Sequence, residues 1–522
     1  MIQRLVEMRK KGLPACVAAL CALTFGCTPS SPALPRYLQV DIETSPTSTD
    51  PRLATDVFSA RVNELVFDSL VRVDDRGELV GDLAESIERP DDLRIIFHLK
   101  HGIRFSDGRE LTSRDVKFTY ESILDPALQS AKRGGLKQLK SIEAPGEYTI
   151  VMTTSGPYAP AMEMGMYGIV PEGTPPTSAT AVSPPGTGPF RMTRYTRDDS
   201  AWLQRNPYRP APEGSPQGIV FKIVPDPTVR ALELTEGLCD VAPNDVEPEV
   251  LPYLIAQPHI AVNEAPGTTY QYLMFNFRNP ALRELKVRRA IAYAIDREAI
   301  VKSFLRGTAR LATGMLTPEN WAYEGNVAVY DYDPARANRL LEEAGYPLGV
   351  NGMRALKFIY KTTPEGSRLA EAVQAMLRKV GIKVDIRSNE LATFLSDLDK
   401  GNFDLTSLRW IGINDPNHYY LVFDSGMTPQ QGGSNRGAYA NPQMDALVER
   451  GMQTIDPSAR RAIYAQVQQL AAQDLPYVSL WWPQNVTVLN REVEGFEPRA
   501  NGSLRSLATV KLVAPSAAEA AE

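Results

Sequence analysis

Along Leu93–Lys100 apolar positions recur every second residue. Leu93, Ile95, Phe97 and Leu99 alternate with Arg94, Ile96, His98 and Lys100. That period predicts a strand with one buried face. His101-Gly102 is a predicted turn, Ile103 and Phe105 start a second short strand, and Asp107-Gly108 is another turn. Thr112 is placed to cap a helix whose first turn carries Asp115, an acid at the positive end of the dipole. Val116 and Tyr120, four apart, belong to that helix's apolar stripe.

The same reading extends over the chain. Strands are predicted at 38–42, 149–152, 219–224, 273–277, 355–360, 383–387, 403–409 and 477–482. Helices are predicted at 57–70, 226–236, 287–294, 335–344, 366–380 and 456–474, with Gly237 a C-cap. Residues 142–145 read as a turn and 173–188, rich in Pro, Thr and Ser, as a loop or domain crossing. The Ala/Glu-rich tail 515–522 reads as loose. Arg288 and Arg289, with Glu284 and Asp296 nearby, read as solvated ion pairs on a helix face.

At 522 residues, 43% hydrophobic and 23% charged, the chain has the balance of a globular protein of about three domains. Its net charge is −6, and a basic start of charge +3 before Cys27 leaves the remainder at −9, which argues against a nucleic-acid partner. That start has a basic stretch, Arg4 to Lys11, and an apolar run, Leu13 to Phe25, too short for an ordinary membrane span. It ends at Gly26-Cys27 before a Ser/Pro linker. This resembles a bacterial lipoprotein leader, with residues 1–26 removed and Cys27 lipidated. Thr24 stands where such leaders usually carry Leu. Cys16 and Cys21 leave with the leader, so Cys239 is the one remaining thiol, no internal disulfide is expected, and Cys239 reads as a buried apolar residue.

No nucleophile–base motif, HExxH, P-loop or CxxC appears, so no enzyme chemistry, cofactor or metal is expected. His98 and His101, three apart in a strand, would face opposite sides. Gly186-Thr187-Gly188 lacks the third glycine and following helix of a nucleotide loop.

The order of several segments resembles the extracellular solute-binding proteins of the dipeptide, oligopeptide and nickel type that serve ABC importers. Leu83-Ala84-Glu85-Ser86, Phe97-His98-Leu99-Lys100, Phe105-Ser106-Asp107-Gly108 and Asp115-Val116-Lys117-Phe118 follow that family's LAxSWE, FxLRxGxxFxDG and LTAxDVxFxYE segments, with Ile87 in place of Trp. Gly188-Pro189-Phe190, Asn206-Pro207-Tyr208, Leu238 to Ala242, the block Tyr272 to Ile300 and Gly345-Tyr346-Pro347 match further markers. The resemblance implies an α/β, two-lobed periplasmic-binding-protein fold with a hinge and an extra inserted domain. By this mapping the first lobe comprises 36–66, 185–264 and 487–514, the extra domain 67–184 and the second lobe 265–486.

It also implies a monomeric, extracytoplasmic binding protein, held to the membrane by a lipid anchor. Such a protein captures a small-molecule or peptide ligand and delivers it to permease and ATPase subunits. Three cleft segments carry over: Thr55, Asp56, Val57 and Phe58; Trp410, Ile411, Gly412, Ile413, Asn414 and Asp415; and Trp481, Trp482, Gln484 and Asn485. Arg409 stands where the family has Gly. Of the adjacent Trp481 and Trp482, one must face away from the other, which makes one a core residue. Peptide-binding members hold the ligand's ammonium with an acid at the position of Ile413, or with one aligned with Thr55. Asp56 or Asp415 could substitute. Blocked peptides, opines, sugars and metal chelates, the last with His418 as the nearby imidazole, stay open beside an oligopeptide-like solute. An envelope hydrolase and a sensory receptor are the remoter readings.

Overall fold

The computed structural model describes residues 36–513 apart from 75, 76, 179 and 245. The leader, Cys27 and the tail 515–522 lie outside the described residues. One sheet runs through most of the molecule. Its strand order is Lys383–Ser388, Lys357–Thr362, Leu405–Trp410, Tyr270–Phe275, Tyr477–Asn490, Val241–Pro243, Tyr37–Ile42, Gly218–Ile223, Ser200–Arg205 and Phe190–Thr196. Ile260–Pro266 and Ala309–Leu311 also pair with Tyr477–Asn490. Strands joined by helices pair in parallel, as Lys357–Thr362 does with Lys383–Ser388 across the helix Ser367–Lys379.

The strand Tyr477–Asn490 binds the two lobes into one sheet. Its first part pairs with Tyr270–Phe275, and its second with Ile260–Pro266 from Gln484 to Asn490. The sequence reading ended this strand at Trp482. It continues because Pro483, which has no N–H to give, sits where the strand changes partners. Trp481 and Trp482 are both buried, in the cores on opposite faces of this sheet.

A separate four-stranded sheet, Ala84–Glu88, Arg94–Leu99, Thr149–Thr154 and Leu139–Gly146, covers its own core of Phe97, Phe105, Tyr120 and Ile150. The alternation survives there from Ile95 on: Ile95, Phe97 and Leu99 are at most 1% exposed, whereas Leu93, which precedes the strand Arg94–Leu99, is 40% exposed and does not share the buried face. Thr112 and Asp115 form a capping box on the helix Ser113–Leu124, with Asp115 accepting from the Thr112 backbone N–H at 2.8 Å.

Four local expectations are corrected. The helix at 57 ends at Asn63 rather than Leu70, because the carbonyls of Leu65 and Val66 accept from Phe190 and Gly188 instead of continuing a helical ladder. Residues 142–145 lie within the strand Leu139–Gly146. It is an edge strand, where Pro145 costs no ladder bond. Residues 103–105 give only an isolated bridge, Arg104 to Glu110. Arg288 is buried and donates to the carbonyls of Asp474, Leu282 and Arg283, so it caps backbone rather than pairing in solvent.

Candidate functional site

The cleft segments are held by buried polar contacts. Asp50 and Arg52 form an ion pair, each at most 1% exposed, with Arg52 Nη2 to Asp50 Oδ2 at 2.7 Å. Arg52 also donates to the carbonyls of Thr174 and Pro175, and Asp50 accepts from the Thr177 N–H. This fixes the loop that leads into residues 55–58. Thr55 is exposed, and Val57 and Phe58 are half-buried. Asp56 is the N-cap of Val57–Asn63, accepting from the Ser59 N–H at 2.8 Å and from the Ser59 and Thr47 hydroxyls. Burial pushes its carboxyl up, but these hydrogen bonds win and hold it below the ordinary value. Its acceptor sites are thus already engaged.

Trp410 ends the strand Leu405–Trp410 half-buried, its ring 4.5 Å from that of His418 and parallel to Tyr272. Ile411 is exposed, and Gly412 takes a φ of +67° with open space around it, so the chain turns sharply here. That turn sends Ile413 into the second-lobe core. The Asn414 carbonyl accepts from Asn320 at 2.7 Å. Asp415 is bound on both oxygens by Arg460, at 2.6 and 2.7 Å, and Oδ1 also accepts from the Asn417 N–H. His418 is neutral: burial pushes its pKa down to about 4, and its Nε2 is buried without a hydrogen-bond partner among the described residues.

At the crossing between lobes, Asn485 donates to the carbonyls of Arg499 and Ala500. Gln484 Oε1 and Trp482 Nε1 are buried and find no partner among the described residues. Trp481 and Trp482 are packing residues at 4% and 3% exposure, which removes both as open cleft walls.

The structure adds a pocket the sequence did not suggest. About 260 Å³ opens between the helix Val57–Asn63, the separate four-stranded domain and residues 501–505. Val57, Arg61, Arg72, Lys132, Met166 and Arg505 help line it. Arg505 is taken up by Asp68 and Asp82, at 2.7 and 2.9 Å. Lys132 donates to the Pro51 carbonyl at 2.6 Å and lies 5.4 Å over the Tyr167 ring; among the described residues no carboxylate is in ion-pair reach, and Asp50 and Asp56 act on it only from farther off. Burial pushes its pKa down to about 8. Nothing in the segment Ala131-Lys132-Arg133-Gly134-Gly135 marks this, because burial there is set by tertiary packing.

The two sides of the cleft meet. Arg368 pairs with Glu249 at 2.9 Å, and the turn Ala159–Met166 packs against the helix Pro442–Gln453. Two α/β halves share one continuous strand. This is the arrangement of a two-lobed binding protein that encloses a solute.

Residues 78–431 match the bacterial extracellular solute-binding proteins, family 5 middle. The chain belongs to that family, as the ordered segments from Leu83 onward implied. The probable di/tripeptide-binding protein 5 of Pseudomonas aeruginosa is 27% identical over 509 residues, covering 90% of this chain and 94% of that protein. Among solved structures, DppA from Helicobacter pylori in complex with the peptide STSA is 27% identical with a TM-score of 0.77, covering 92% of this chain and 98% of the other. NikZ from Campylobacter jejuni in complex with Ni(L-His) is 25% identical with a TM-score of 0.79, covering 91% and 99%. The protein is therefore an extracytoplasmic solute-binding component of an ABC importer and not an enzyme. Among the described residues no helix is long and apolar enough to cross a membrane.

Proposed function

We propose that the protein captures a short peptide or peptide-like solute, with the solute's carboxylate in the pocket between the helix Val57–Asn63, the four-stranded domain and residues 501–505, and passes it to the importer's permease and ATPase subunits. The observation that carries this reading is Lys132. A desolvated ammonium without a carboxylate gains most from a ligand that brings one, as a peptide C-terminus does. The relatives named for di- and tripeptides, and the one solved with STSA, support the same class. Trp410, half-buried and parallel to Tyr272, supplies an aromatic surface for such a solute. Cys27 is the proposed lipid anchor. Intact-mass measurement of protein extracted from membranes should show a diacylglyceryl or triacyl addition there, and a soluble form beginning elsewhere would sink the anchor. Mass spectrometry of solute released from gently purified protein tests the ligand class. Lys132→Met should weaken binding of a free-carboxylate peptide about tenfold or more and leave its C-terminal amide almost unaffected.

A second reading, a metal chelate, is favoured by one observation: the neutral His418 with its buried Nε2. Calorimetry with Ni(L-His), in wild type and His418→Gln, would separate it from the first.

A further inference from the structure

Resting on the reading of Cys27 as the lipid anchor, we infer that the end of the first lobe around Leu238 and Ile255 is a seat for the bilayer surface. These are the most exposed large apolar side chains described in that lobe, at 59% and 61%. Leu232 and Tyr253 are exposed beside them in sequence. Water gains by losing such a surface, and isolated exposed leucines need no explanation, so the question is whether the fold gathers these four and what then covers them.

Topology gathers them. The helix Pro227–Thr235 lies between the strands Gly218–Ile223 and Val241–Pro243, both parallel to Tyr37–Ile42, so it runs back toward the end at which Tyr37–Ile42 begins. The helix Leu251–Ile255 lies between Val241–Pro243 and Ile260–Pro266. Both of these strands are antiparallel to Tyr477–Asn490, so this helix returns to the same end. The two helices cover one core through Ala231, Leu234, Leu251 and Leu254. Beyond their ends, His259 Nε2 meets the Thr235 carbonyl oxygen at 3.1 Å. Gly237, with a φ of +70°, turns the chain out of the first helix and presents Leu238. The exposed charges alongside, Glu236 and Arg491, offset one another, and Arg491 is fixed there by donating to the Pro258 carbonyl at 2.8 Å. An apolar face with balanced charge suits a zwitterionic lipid surface.

The point at which the chain enters selects the bilayer as the occupant. Val40 pairs with Val241, and Tyr37 and Leu238 each stand three residues earlier, so the first strand begins beside this face. The Asp240 carboxylate, accepting from the Gln39 N–H at 2.7 Å, holds the two segments together there. Cys27 lies ten residues before Tyr37. Ten residues reach at most about 36 Å even when fully extended. A lipidated Cys27 therefore keeps this end of the lobe close to the bilayer, and a tether makes a weak apolar contact an intramolecular one. The lipid supplies attachment and the face supplies orientation. The cleft is left free, because residues 55–58 follow the opposite end of Tyr37–Ile42, a strand about 20 Å long.

The test uses the mature lipidated chain in vesicles of phosphatidylcholine and phosphatidylethanolamine. Ala256→Cys, exposed on this face, carries an environment-sensitive dye, and Leu391→Cys, exposed on the second lobe, carries the same dye in a separate sample. Cys239 is buried and stays unlabelled. On vesicles the dye at 256 should shift to the blue and be quenched by spin-labelled lipid, while the dye at 391 should do neither. Adding Leu238→Ser and Ile255→Ser should abolish both signals at 256, with an unchanged melting temperature and with intact mass still showing the lipid on Cys27. A dye at 256 that reads the same on vesicles as in soluble Cys27→Ser protein would overturn the inference while leaving the anchor standing. A shift that grows with protein density and escapes lipid quenching would mark a second copy of the chain on this face and overturn it too, as would equal quenching at 256 and 391. An intact mass without lipid on Cys27 would overturn the anchor reading itself, and the seat with it.

Discussion

Asp41 lies fully buried in the strand Tyr37–Ile42, with the Lys222 ammonium 4.0 Å away. Burial, reinforced by the Glu233 carboxylate, lifts its pKa from 3.8 to about 7 against the pull of Lys222. The folded chain therefore keeps a proton that the unfolded chain releases between these values. Stability from this group is full below pH 3.8 and is lost as pH rises toward 7. Asp41→Asn, neutral at every pH, should match wild type near pH 4 and melt higher at pH 8, by the equivalent of about 1–4 kcal/mol. Parallel melts across that range would check it, and a constant difference would count against it. Arg52 is the opposite case: a buried cation whose removal strands the Asp50 carboxylate. Arg52→Ala should cost about 3–5 kcal/mol in urea unfolding.

Secondary-structure elements were legible where one physical rule decided them. Period-two burial placed Arg94–Leu99, and cap chemistry placed Ser113–Leu124. Elements were misread where a distant partner decided. Leu65 and Val66 look helical by their spacing, yet their carbonyls are claimed by the strand that begins at Phe190. That seam depends on Gly188, where a Cβ would fall 2.6 Å from the Val66 carbonyl carbon and 2.8 Å from the Leu65 oxygen. Both neighbours are backbone, so neither can step aside. Gly188→Ala should destabilise by about 1–3 kcal/mol, read as a lowered melting temperature. The site divides in the same way. Trp410 and Gly412 are expected in the site by resemblance alone, and the pairing of Trp481 with Trp482 warned that one was core. The burial of the other, the Arg460 clamp on Asp415 and the burial of Lys132 arise from segments far apart in sequence. No local pattern encodes them.

For the whole molecule, a solute that touches both lobes binds the closed form better than the open one and shifts the population toward it. Saturating wild type with a peptide recovered from it should shrink the small-angle scattering radius and change tryptophan emission through Trp410. It should also raise the melting temperature, as any ligand of the folded state does. An unchanged radius would contradict hinge closure.

The strand Tyr477–Asn490 also acts as an axle. Because its two halves are bonded into opposite lobes, sliding one lobe past the other would break backbone pairs that a rotation about residues near Pro483 would keep. In such a lever the gap opens in proportion to distance from the pivot. Gln484 and Asn485, beside it, are displaced little by such a rotation. A solute held far from the hinge would therefore feel a small rotation as a large displacement.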